Sequence, residues 1–135
     1  MIENYGDVVV CMDEDAITRK IIGFCYEVYN ELGPGFPEKI YHRALEKVFE
    51  REGINFESEK GYGVVFEGEG IGRFKVDFVI EDLVILEIKS VIGKMPKVFE
   101  AQVVSYLKAT KLCAALLINF GGSSCQVRRL NMTTK

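Results

Sequence analysis

Phe74-Lys75-Val76-Asp77-Phe78-Val79-Ile80-Glu81-Asp82-Leu83-Val84-Ile85-Leu86-Glu87-Ile88-Lys89-Ser90 is the stretch whose reading decides the fold. Val76, Phe78 and Ile80 alternate with Lys75, Asp77 and Val79, and Val84, Leu86 and Ile88 alternate with Ile85, Glu87 and Lys89, the period-2 pattern of two strands. With Glu81-Asp82-Leu83 as a three-residue loop, Asp77 falls opposite Glu87 and Lys75 opposite Lys89, and the large apolar residues turn to the other face. Two carboxylates then stand within reach of one divalent cation, with a lysine beside them. Mg²⁺ is commonly held by one or two carboxylates, with water and phosphate completing its shell. Lys89 would position or help deprotonate an attacking water, or neutralise charge developing on a phosphate. The plainer alternative is a solvated sheet face on which Lys75, Asp77, Glu87 and Lys89 form cross-strand ion pairs.

Around this hairpin, 135 residues with 48% hydrophobic content fit one domain with its own core. The expected organisation is a weakly ordered acidic leader over residues 1–15 and a single domain over 16–131. No apolar run approaches the roughly 18 residues of a membrane span, and residues 1–10 do not read as a secretory signal, so a cytoplasmic protein with no membrane partner is expected. Cys11, Cys25, Cys113 and Cys125 show no paired spacing and read as buried free thiols rather than zinc ligands. With His42 the only histidine, triad-type catalysis would have to run through it, which disfavours that chemistry. Charge is unevenly spread: residues 1–69 carry 7 basic and 15 acidic side chains, residues 70–135 carry 10 and 5. The second half therefore offers the phosphate-facing surface.

In chain order, Asp13-Glu14-Asp15 supplies carboxylates to cap a helix over residues 16–32, whose Ile17, Ile21, Phe24, Cys25, Val28 and Leu32 form one stripe. Gly33-Pro34-Gly35-Phe36-Pro37 ends it and starts a second helix over 37–52, with Ile40, Tyr41, Ala44, Leu45, Val48 and Phe49 as its core face. Glu38 is either a first-turn carboxylate favoured by the helix dipole or a further acid presented to the hairpin. His42, Arg43, Glu46 and Lys47 read as a solvated face. Residues 54–60 and 62–67 read as two short strands broken at Gly61. A third helix starts at Pro96 and runs to about Lys111, with Val98, Ala101, Val104, Tyr106, Leu107 and Ala109 as apolar contacts. Strands over 112–120 and 125–130 and a polar tail from Asn131 complete the chain.

The order of helix, acid-bearing hairpin, helix and strand, with Asp77 followed by Glu87-Ile88-Lys89, resembles the PD-(D/E)xK nuclease core. Val76 stands where a proline precedes the aspartate in the named signature. Gly35-Phe36-Pro37-Glu38-Lys39-Ile40-Tyr41 matches the motif of the GxxExxY family, and Ala101-Gln102-Val103-Val104-Ser105-Tyr106-Leu107 and Leu117-Ile118-Asn119-Phe120-Gly121 look like its later blocks. The resemblance implies an α/β restriction-endonuclease-like fold, a mixed central sheet flanked by helices. It implies a catalytic group of Glu38, Asp77, Glu87, Lys89 and Gln102, supported by Tyr41, Tyr106 and Lys75. Asp77, Glu87, Glu38 and the Ile88 carbonyl would hold Mg²⁺ or Mn²⁺. The implied activity is phosphodiester hydrolysis in nucleic acid, DNA ahead of RNA, by a chain that in related nucleases often dimerises. The alternative is a binding module for nucleic acid or protein that keeps the fold without catalysis.

Overall fold

The alternating runs become neighbouring strands of a five-stranded sheet in the computed structural model, which describes residues 2–5, 8–11 and 14–131, with side chains from Asp15 to Asn131. Strands β1 (Ile2–Tyr5) and β2 (Val8–Cys11), inside the acidic leader, pair antiparallel with each other. Asp13 of the expected cap and the tail beyond Asn131 lie outside the described residues. Then follow α1 (Glu14–Leu32), α2 (Glu38–Arg51), β3 (Phe56–Phe66), β4 (Glu69–Ile80), β5 (Val84–Lys89), α3 (Lys97–Thr110), β6 (Ala114–Asn119) and β7 (Gln126–Asn131). Sheet order is β3-β4-β5-β6-β7, antiparallel except for the parallel β5–β6 pair, whose crossover is α3.

Both faces of the central strands are covered. On one side Ile21, Cys25, Leu45 and Phe49 of α1 and α2 pack with Phe78, Ile80, Leu86, Ile88, Leu116 and Ile118. On the other, Val103 and Leu107 of α3 pack with Val76, Val79, Ile85, Ala115 and Leu117. The expectation of a single apolar face on the hairpin is thus corrected: Val79 and Ile85 are as buried as their neighbours because α3 lies over them. A strand clothed on both sides reads as a continuous apolar run, which β6 does as far as Ile118 and β5 does only from Val84 to Leu86, before Glu87.

Other boundaries also moved. Residues 56–66 form one strand through Gly61, because this glycine sits opposite Lys75 in a continuous ladder and leaves room for the Arg73 guanidinium, 3.1 Å from where a Cβ would lie. In α3 the buried stripe is Val103 and Leu107, with Phe99 and Tyr106 partly covered; Val98, Ala101, Val104 and Ala109 face outward, since only one side of the helix meets the sheet. Ile40 is likewise exposed. Cys25 and Cys125 are buried free thiols, whereas Cys113 is disulfide-bonded, against the expectation; the side chain of Cys11 lies outside the described residues. Among the described residues, no helix is long and apolar enough to cross a membrane.

Candidate active site

The β4–β5 ladder closes the three-residue loop as expected, with Glu81 and Asp82 in left-handed conformation, but it holds for only three pairs: Ile80 with Val84, Val79 with Ile85 and Phe78 with Leu86. Beyond Phe78 the strands part, β4 continuing with β3 and β5 with β6. Side chains tie the fork where ladder bonds would have been. The Ile88 N–H donates to Asp77 Oδ2 at 2.7 Å, and the Asp77 N–H donates to Glu87 Oε1 at 2.7 Å. Each carboxylate commits one oxygen to the fold and, among the described residues, keeps the other without a protein partner.

Glu87 is 6% exposed, and among the described residues neither it nor Asp77 has an ion-pair partner. The solvated face of cross-strand ion pairs is therefore not what forms. Lys75, expected opposite Lys89, instead lies opposite Gly61 on the exposed β3–β4 arm, since the strands have already separated.

Glu38 reaches this fork through a locally determined turn. Gly35 holds φ 110°, a conformation that favours glycine, and Pro37 caps α2 so that Glu38 opens its first turn. The Tyr41 hydroxyl donates to the Gly33 carbonyl at 2.6 Å and accepts the Phe36 N–H at 3.2 Å, while its ring stacks on Phe120. Ser90 Oγ donates to the Phe36 carbonyl at 2.7 Å, joining the turn to the end of β5. Tyr41 is fully buried beneath this turn, so its place is structural, apart from any substrate surface.

The acids repel one another in a poorly solvated setting. Burial, reinforced by the Asp77 charge, pushes the Glu87 carboxyl up to about 8, against the pull of the Asp77 N–H and Lys89. Burial likewise raises Asp77, though the Ile88 N–H, His42 and Lys89 oppose it. Glu38 is raised by desolvation, with Lys89 opposing and Asp77 adding to the shift. Lys89 is half-buried, its Nζ 4.6 Å from the Phe99 ring centroid. Tyr106 stacks on Phe74 with centroids 4.4 Å apart, and its hydroxyl is raised by burial and then by Glu87 and Asp77. Gln102 is exposed one turn before Tyr106 and makes no hydrogen bond among the described residues.

A donor set of carboxylate oxygens and one main-chain carbonyl suits a hard divalent cation, and a cation would relieve the repulsion that lifts Glu87. Asp77 and Ile88 share a cleft with Glu38. Among the described residues, no group of three or more His, Cys, Asp or Glu side chains is arranged to hold a metal ion. A cation bound at the fork would complete its shell with water or phosphate oxygens, as Mg²⁺ ordinarily does.

Two residues near the site were misplaced or overlooked by sequence reasoning. His42, expected on a solvated face, stacks on Phe78 with centroids 4.1 Å apart and lines the cleft of about 440 Å³ that contains Glu38 and Asp77. The signal was its spacing: residues 38, 42 and 46 share one face of α2. Phe99 carried no signal beyond an aromatic near a helix start.

A solved protein, SSO0001, superposes with a TM-score of 0.54 at 19% identity, over 72% of this chain and 50% of its own. The likeness is one of fold, and this chain spans half the length of that protein. Among curated proteins, none matches. Residues 15–130 match the family model of the PD-(D/E)XK nuclease superfamily, and these residues include the fork, α2 and α3. The chain belongs to the PD-(D/E)XK nuclease superfamily.

Proposed function

We propose that this chain is a metal-dependent phosphodiesterase acting on nucleic acid, DNA ahead of RNA, and that it is a GxxExxY member of its superfamily. The observation that carries the reading is the pair of carboxylates at the β4–β5 fork, Glu87 buried and Asp77 half-buried, each fixed by one main-chain N–H and each with an oxygen to spare among the described residues. A group with that much desolvation and like-charge repulsion is costly to keep for structure alone. The GxxExxY reading is supported by the work each motif residue does: Gly35 makes the turn, Glu38 faces the acids and Tyr41 locks the turn from beneath.

Asp77, Glu87, Glu38 and the Ile88 carbonyl would hold Mg²⁺ or Mn²⁺. When bound, the cation would supply Lewis acidity toward a phosphate and a more acidic water. The Lys89 ammonium, held over Phe99, brings positive charge to the same space and is placed to offset charge on phosphate oxygens. Gln102 would support the site from α3, and Tyr106 of the same helix is near enough for the Glu87 and Asp77 charges to act on its hydroxyl.

Calorimetry of Mn²⁺ binding to the wild type, Asp77→Asn and Glu87→Gln, followed by incubation with single- and double-stranded DNA and RNA, tests the proposal. Saturable binding in the wild type, lost in both variants and accompanied by cleavage, is expected. Negligible binding in all three would overturn it. One observation favours the second reading, a binding module without catalysis: no group of three or more His, Cys, Asp or Glu side chains is arranged to hold a metal ion among the described residues.

A further inference from the structure

A cleft lies between α2 and the root of the β3–β4 arm, beside the acid fork. Its volume of about 440 Å³ lies in the range of small-ligand sites, about 300–1,000 Å³. Asp77 and Ile88 of the acid fork line it together with His42, Glu46 and Glu59, and Lys39 and Arg43 line it as well. Phe78 lies against one face of the His42 ring, so the ring is backed by the core, as a stacking platform must be. Glu46 accepts from Ser58 and Arg43, but Glu59 has no bonding partner among the described residues. Glu59 also sits at φ 50°, between the paired residues Ser58 and Lys60, and its charge acts on the Asp77 carboxyl.

Resting on the nuclease reading, we infer that this cleft receives one unpaired nucleobase of the bound strand beside the scissile phosphate, which makes single-stranded nucleic acid the substrate class. The base stacks on His42 and presents an exocyclic amino group to the Glu59 carboxylate. A carboxylate accepts from cytosine N4 or another base amino group and offers nothing to thymine O4. A paired base has both faces stacked and its pairing edge engaged, so only a single strand or an opened end uses the cleft.

The arm continues the path outward. β3 and β4 carry Gly61 opposite Lys75 and Gly63 opposite Arg73, all four exposed, on the face away from Tyr62 and Phe74. The missing side chains at residues 61 and 63 give a low floor. Arg73 is laid across it, its guanidinium 3.1 Å from where a Gly61 Cβ would lie. Two cations over a low floor suit the sugar-phosphate backbone of the strand whose base is in the cleft.

The test is fluorescence anisotropy with labelled dC and dT oligonucleotides of about 12 residues and a hairpin duplex of similar length, with Ca²⁺ in place of Mg²⁺ to prevent turnover. The wild type should bind dC about fivefold more tightly than dT, and either more tightly than the duplex. His42→Ala should weaken dC binding about tenfold while duplex binding holds, and His42→Phe, which keeps the stack on Phe78, should restore it. Glu59→Gln should erase the difference between dC and dT. Equal affinity for single strand and duplex, or equal loss of both in His42→Ala with a wild-type melting temperature, overturns the inference. Mn²⁺ calorimetry on the same preparations separates the two failures: absent metal binding sinks the nuclease reading, whereas metal binding without strand preference sinks only this one.

Discussion

Replacing Glu87 by glutamine should stabilise the metal-free protein while abolishing metal binding, and the size of the effect follows from the fork. The carboxyl titrates near 8 in the folded chain against 4.5 for an unhindered glutamate. A folded-state pKa raised above the unfolded one means that stability is fully present below about pH 4.5 and is lost as pH rises through about 8. At 1.36 kcal/mol per pKa unit, the loss is about 3 kcal/mol at pH 7 and approaches about 5 kcal/mol above pH 8. Glutamine keeps the oxygen that accepts the Asp77 N–H and carries no charge, so it escapes this loss. Urea unfolding in EDTA at pH 5, 6, 7 and 8 should show the two proteins converging at the acid end and the variant ahead at pH 7, equivalent to roughly 10 °C in melting temperature. Adding Mn²⁺ should raise the wild type alone, and more at pH 8 than at pH 6, because binding displaces the Glu87 proton. Parallel pH profiles for the two proteins, or a variant less stable at pH 8, would refute the reasoning.

Three further outcomes follow from named contacts. Phe99→Leu should lower turnover of a cleaved strand about tenfold with Mn²⁺ affinity unchanged, and Phe99→Trp should restore it, because the ring over which Lys89 Nζ sits at 4.6 Å holds that ammonium apart from the acids; single-turnover kinetics beside calorimetry reads this. Tyr41→Phe should cost about 1–2 kcal/mol in urea unfolding, since the Gly33 carbonyl and Phe36 N–H both lose the hydroxyl, and should leave strand binding in place if the turn survives. Asn119→Ala should cost about 3 kcal/mol or more, because this fully buried amide bonds the Val91 N–H and carbonyl, the Gly121 N–H and Gln126, and an apolar replacement strands them; hydrogen exchange at Val91 and Gly121 should rise with it.

What was legible in the sequence is what local chemistry determines. The period-2 runs, the Glu81-Asp82-Leu83 loop and the helix starts at Pro37 and Pro96 depend on neighbours in the chain, and they formed where expected. The register that sets Asp77 against Glu87 follows from the loop length. What was not legible depends on which surface covers which. Val79 and Ile85 alternate correctly, but only the presence of α3 makes their face a second core. Lys75 was drawn opposite Lys89 because register arithmetic continues through a point where the ladder stops, and nothing in the residues announces the fork. Tyr41 belongs to the motif that carried the resemblance, yet its hydroxyl is committed to the turn that presents Glu38. His42 looked solvated because its partner, Phe78, is 36 positions away and meets it only through the packing of α2 on the sheet.

The fork also governs how loss of function at the acids must be read. At an ordinary metal site an alanine removes a ligand and little else. Here Asp77→Ala also strips the acceptor from the Ile88 N–H, and that amide sits at a residue 1% exposed, where no ladder partner on β4 replaces it. The lost bond costs about 1–3 kcal/mol and loosens β5 beside Glu87 and Lys89, so cleavage would vanish whether or not a metal is involved. Asp77→Asn separates the causes, because its carbonyl oxygen can still accept the Ile88 N–H while its charge is gone. If Asp77→Asn keeps the wild-type unfolding midpoint or exceeds it and loses Mn²⁺ binding, Asp77 is a ligand and its structural bond is independent of that role. If Asp77→Asn binds Mn²⁺ as tightly as the wild type while Asp77→Ala unfolds early, the carboxylate is part of the scaffold and the metal must lie elsewhere.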